Sequence, residues 1–101
     1  MSETNYPVAC ICGSMRYYDK MIKLAERLTA DGWIVLMPYV SDYSGGKPAD
    51  KFKIMLDDMH RTKISMATTV FVVGSHIGDS TRSEIEYARD RQVEVIHIAN
   101  P

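Results

Sequence analysis

The stretch ICGSMR, Ile11 to Arg16, leaves an apolar run and ends on a cation after two small residues. Glycine lets a ligand approach the backbone, serine offers a hydroxyl and arginine pairs with anions. Cys12, Gly13, Ser14 and Arg16 therefore suit a seat for a sugar or a phosphate, and they equally suit a plain turn that caps the next helix. Glu84 stands near the start of a predicted helix, where its carboxylate can face a cleft. Thr81-Arg82-Ser83-Glu84 also spells a capping box, and one rotamer of Glu84 cannot fill both roles. Asp57, Asp58 and His60 form a titratable cluster able to deliver a proton, or else a solvated acidic face beside a packed histidine. Gly78, Ser80 and Arg82 lie where backbone N–H groups open a helix and attract anions. Tyr17, Tyr18, Tyr39 and Tyr43 are placed to stack on a planar base.

These residues must be positioned by alternating strands and helices. Tyr6–Cys12 is an apolar run with Pro7 near its start, where a missing N–H is tolerable. Met21, Leu24, Ala25 and Leu28 recur at helical spacing and predict a helix over 18–30, which Gly32 stops in a left-handed cap. Trp33–Met37 reads as a buried strand ended by Pro38. Tyr39–Asp50 has turn composition and is long for a connection, as binding loops are. A second helix carries Phe52, Met55, Leu56 and Met59 on one face. Thr69–Val73 is a third strand, 74–81 a glycine-punctuated loop, 81–91 a short helix with Ile85 and Ala88 inward, and Val93–Ile98 a fourth strand.

Apolar strands alternating with helices imply a parallel sheet covered on both faces. Right-handed crossovers allow the order 2-1-3-4, a small Rossmann-like or flavodoxin-like three-layer sandwich forming one domain over 1–101. Ligands bind such sheets beyond the carboxyl ends of the strands, near the point where the order reverses. That gathers the loops at 13–16, 39–50 and 74–81.

Composition narrows the function classes. The chain has 101 residues, 46% hydrophobic and 25% charged, with a formal net charge of −1. The charge argues against a nucleic-acid polymer as partner. The sequence shows no signal peptide and no membrane span, so a cytoplasmic setting is expected. Cys10 and Cys12 share one face of a strand and read as buried thiols. The three histidines lack ligand-like spacing, so no metal and no cofactor are expected. No Walker motif, HExxH or GxSxG is present.

Taken in order, ICGSMR, LMPYV, DDMHRTKISMATTVFVV and GDSTRSEIEYARDRQVEVIHI resemble the nucleoside 2-deoxyribosyltransferase-like superfamily, from Val8 to Ile98. That group includes deoxyribosyltransferases, 2′-deoxynucleoside 5′-phosphate N-hydrolases and many small phage and bacterial proteins of unassigned function. The resemblance implies cleavage or transfer at the N-glycosidic bond of a nucleoside or its 5′-monophosphate. It places the family's glutamate at Glu84 and its sugar and phosphate turn at Gly13, Ser14 and Arg16. The sequence departs from the pattern in two places. Glu86 stands where a glycine commonly follows the glutamate, and the position of the second carboxylate falls on His60, with Asp57 and Asp58 nearby. His60 or Asp58 is then the acid. The alternative on the same fold is a nucleotide-binding or signalling module without turnover. An apolar edge at Trp33–Met37 and seven methionines predict a homodimer or higher assembly, with Met55, Met59 or Tyr87 at the contact.

Overall fold

The computed structural model describes residues 5–39 and 50–99. Most of the expected loop at 39–50, with Tyr43, lies outside them. The four strands are β1 (Val8–Gly13), β2 (Ile34–Leu36), β3 (Thr69–Val73) and β4 (Glu94–Ile98). Three helices alternate with them: α1 (Tyr18–Ala30), α2 (Asp50–Met66) and α3 (Asp79–Asp90). All four strands run parallel in the order β2-β1-β3-β4. No described helix is long and apolar enough to cross a membrane.

β1 and β3 lie in the middle of the sheet and are buried on both sides. Strand periodicity sends alternate side chains to opposite faces. Ala9 and Ile11 join Phe71 and Val73 against Met21, Leu24 and Leu28 of α1. Cys10 and Cys12 join Val70 and Val72 against Ile64 of α2 and Ile85 and Ala88 of α3. Trp33 closes the α1 layer with its ring edge-on to Phe71, centroids 5.3 Å apart. Gly32 ends α1 at φ +95°, as its position predicted.

The outer strands are shorter or begin later than their apolar runs. β2 keeps only Ile34–Leu36 of the expected 33–37, because Trp33 spends its N–H on Leu28 at the end of α1. The apolar face of α2 divides into two functions. Ile64 enters the core, while Met55 and Met59 stay exposed and line a cleft. Helical spacing alone does not separate a core stripe from the wall of a cavity.

At the carboxyl edge of the sheet, two glycines let the chain turn closely. Gly13 ends β1 at φ +151°, and a Cβ there would sit 2.8 Å from the Val73 carbonyl oxygen and 2.9 Å from Met21 Cε. Gly74 follows β3 at φ +94°, and a Cβ there would collide with the Tyr17 ring. Tyr17 belongs to a single 3-10 turn, Met15–Tyr17, after β1. Its hydroxyl accepts the His76 N–H at 3.0 Å, tying that turn to the loop after β3.

Gly74→Ala therefore meets both a left-handed backbone and an occupied space, at about 2–4 kcal/mol. Gly32→Ala meets the backbone term alone, about 1–2 kcal/mol, since nothing lies within 4 Å of its Cβ position. Thermal melts should show the larger loss for Gly74→Ala, roughly 10–25 °C in Tm. Equal losses would mean that the Tyr17 contact does not hold the two loops together.

Candidate active site

A cleft of about 670 Å³ opens beyond the ends of β1 and β3, between α2 and the start of α3. That size suits a nucleotide-sized ligand. The turn after β1 supplies Gly13 and Ser14, α2 supplies Leu56, Asp57, His60 and Lys63, and α3 supplies 78–81 and Glu84. Tyr39 and Phe52 meet edge to face across the mouth, centroids 6.2 Å apart.

The start of α3 decides what Glu84 does. The Gly78 carbonyl accepts the Arg82 N–H at 2.9 Å, so the helical ladder begins two residues before the expected Thr81. Thr81 consequently sits inside the first turn and is buried. In that register Thr81 is no N-cap and Glu84 lies in the second turn, so the capping box is not formed. Glu84 instead projects towards α2, with Oε1 3.9 Å from His60 Nε2. The N–H groups of the first turn remain at the cleft, a favourable place for an anion.

His60 is pressed onto β1. Its Nε2 lies 3.3 Å from Cys12 Sγ and 3.9 Å from Cys10 Sγ. Its Nδ1 is buried and finds no partner among the described residues. Charge on these four side chains is interdependent. The Cys10 thiol is brought down to about 6, chiefly by its hydrogen bond with Cys12 and, against burial, by His60. The hydrogen bond with Cys10, burial and the Cys10 and Glu84 charges push the Cys12 thiol well up. Burial opposes protonation of His60, yet the Cys10 thiolate and the Glu84 carboxylate outweigh it and raise the imidazole pKa. Glu84 is raised by burial, with His60 and Cys12 pulling the other way. The arrangement holds an acid and a carboxylate side by side at the base of a cleft, as general acid and nucleophile chemistry requires.

The expected site residues are distributed as follows. Glu84, His60, Gly13, Ser14, Tyr39, Gly78 and Ser80 line the cleft together. Cys12 lies under it, against His60. Asp58 points away, 75% exposed and 3.8 Å from Arg61, while Asp57 is the aspartate that reaches the cleft. Arg16 and Arg82 are exposed and outside the lining. Cys10, Lys63, Met55 and Met59 were not among the expected cleft residues. Cys10 had a signal in its i, i+2 spacing to Cys12, which fixes a shared face. Lys63 had none, since its Nζ donates at 2.7 Å to the carbonyl of Met37, far away in sequence and just after β2.

No family model and no curated protein matches the sequence. Several solved structures share the fold, two of them as follows. A conserved protein from Enterococcus faecalis V583 superposes with a TM-score of 0.65 at 16% identity, over 92% of this chain and 63% of that one. The chain thus spans less than two-thirds of that protein's length. The CMP N-glycosidase BcmB of Clostridium botulinum superposes with a TM-score of 0.60 at 15% identity, over 89% of this chain and 69% of that one. At these identities the likeness establishes the architecture alone.

One thiolate per chain should appear in the ultraviolet absorbance of the metal-free, reduced protein with a midpoint near 6, against about 8.5 for a free cysteine. Cys10→Ser should abolish that early step. A first ionisation near the free-cysteine value would remove the thiolate from beneath His60.

Proposed function

We propose that the cleft binds a nucleoside or its 5′-monophosphate and breaks or exchanges the N-glycosidic bond, as in the nucleoside 2-deoxyribosyltransferase-like superfamily. The observation that carries this reading is the Glu84–His60 pair, 3.9 Å apart at the base of a cleft of nucleotide size. The motif order along the chain and the shared fold with an enzyme described as a CMP N-glycosidase support it.

In this mechanism the ionised Glu84 carboxylate meets the anomeric carbon as the base departs. It either adds to that carbon or stabilises its oxocarbenium character. Protonated His60 gives its proton to the leaving base, and the Cys10 thiolate beside it favours the charged imidazole. Water as acceptor gives hydrolysis, and a second base gives transfer. Asp57, at the cleft, is better placed than Asp58 to assist. Ser14 and the first-turn N–H groups of α3 offer donors to the sugar and the phosphate, with Arg16 as the charged partner of the phosphate from beside Ser14.

The test is incubation with a panel of nucleosides, deoxynucleosides and their 5′-monophosphates, followed by chromatography for free base. Release supports the enzyme, whereas binding without release supports a non-catalytic nucleotide module. Glu84→Gln should lower release by at least about 10²–10³-fold, the scale of losing one group that stabilises transition-state charge, and leave affinity within a few-fold. With chelator present, release should rise with pH as Glu84 ionises, at a midpoint above the usual carboxylate range because burial raises it. It should fall again as His60 loses its proton, above 6.5. Cys10, Cys12, Asp57 and Lys63 are the other titratable groups facing this pair. Retained turnover in Glu84→Gln would exclude its carboxylate from the reaction.

Arg16→Ala should weaken 5′-monophosphate binding about tenfold to a hundredfold, the scale of a charge-assisted phosphate contact, and leave nucleoside binding unchanged. Equal losses in calorimetric titrations of the two ligand classes would exclude Arg16 as the phosphate partner.

A further inference from the structure

We propose that Cys10, Cys12 and His60 form a binding site for a zinc-class divalent cation, with the Glu84 carboxylate beside the fourth position. The donor atoms are Cys10 Sγ, Cys12 Sγ and His60 Nε2, all within 4.8 Å of one another. Zinc bonds of about 2.3 Å to sulfur and 2.0 Å to nitrogen in a tetrahedron separate the donors by roughly 3.5–3.8 Å. The two sulfur–nitrogen separations, 3.3 and 3.9 Å, bracket that spacing. Glu84 Oε1, 3.9 Å from Nε2, completes a set of two sulfurs, one nitrogen and one oxygen.

Three features favour a cation over the alternatives. Both thiols are wholly buried on one face of a central strand, where neighbours two apart have Cα atoms roughly 6.6 Å apart. That is at the upper end of disulfide reach, so the strand keeps the sulfurs together as separate donors. Two thiols and an imidazole are a soft donor set suited to zinc rather than to magnesium or calcium. The route in is present as well, since His60 and Glu84 line the cleft while the sulfurs lie behind them.

Binding replaces protons with metal bonds. Any proton on Cys10 Sγ, Cys12 Sγ or His60 Nε2 passes to solvent as zinc takes the freed electron pair. Ligating histidines usually anchor their other nitrogen on a partner, worth about 10–100-fold in affinity. Because Nδ1 has no partner among the described residues, this site should bind more weakly by that factor than a fully supported one. The site itself does not depend on the glycosidic reading. If that reading holds, zinc engages His60 and Glu84 and the loaded protein releases no base.

The experiment is titration of chelator-stripped, reduced protein with cobalt(II) alone, then displacement by zinc. The expected result is one cobalt per chain, a thiolate-to-cobalt charge-transfer absorption, and visible bands of tetrahedral intensity that zinc erases. Cys10→Ser and His60→Asn each remove a ligand and should weaken binding by more than the about 10–100-fold that loss of an outer-shell partner costs. In wild-type protein, zinc should also shield both thiols from alkylation under mild denaturant, which keeps the test open if a variant fails to fold. Absence of the charge-transfer band, an unchanged cobalt affinity in Cys10→Ser, or thiols unshielded by zinc would each overturn the site. Base release is measured on the same metal-free protein. Release without the cobalt spectrum overturns the metal site alone, and the spectrum without release overturns the glycosidic reading alone.

Discussion

An imidazole buried against the middle of a parallel sheet must find polar partners on a surface built from apolar side chains. Here Cys10 and Cys12 meet that need at Nε2, presented together because their spacing puts both on one face of β1, while Nδ1 finds no partner among the described residues. The contact has consequences for the whole carboxyl edge. It joins α2 to β1 at the same imidazole nitrogen that lies 3.9 Å from Glu84 Oε1 of α3. It also sets charge: one sulfur holding a negative charge beneath the ring favours imidazolium above it. A carboxylate, an imidazole and two thiols then share a small buried volume, and the protonation of each depends on the others.

Much of this was legible in the chain. Alternating apolar strands and amphipathic helices gave the parallel sheet, its 2-1-3-4 order and the loops that meet at its edge. Gly32 announced the left-handed cap after α1, and Gly13 the turn after β1. What the local pattern missed came from long-range register. Thr81 and Glu84 have capping-box spacing, but the Gly78 carbonyl starts α3 earlier and leaves Glu84 free. His60 lies about fifty residues from the cysteines, so no local spacing could pair them. Asp57 and Asp58 are neighbours in sequence yet face the cleft and Arg61 respectively, a difference of one helical step. The methionines of α2 have core spacing but border an empty volume instead.

The same cluster connects the two inferences about this protein. A carboxylate and an acid aimed into a cleft are suited to glycosidic chemistry, and two sulfurs beneath them are suited to a soft cation. His60 and Glu84 belong to both, so occupancy of one arrangement excludes the other. Glu84 is thus common to both chemistries. A crystal structure of Glu84→Gln with an intact nucleoside 5′-monophosphate tests its glycosidic role most directly. The anomeric carbon should lie about 3–3.5 Å from the side-chain oxygen at position 84, a reactive approach, with the base leaning towards His60. A nucleotide bound with its sugar away from position 84 would contradict it.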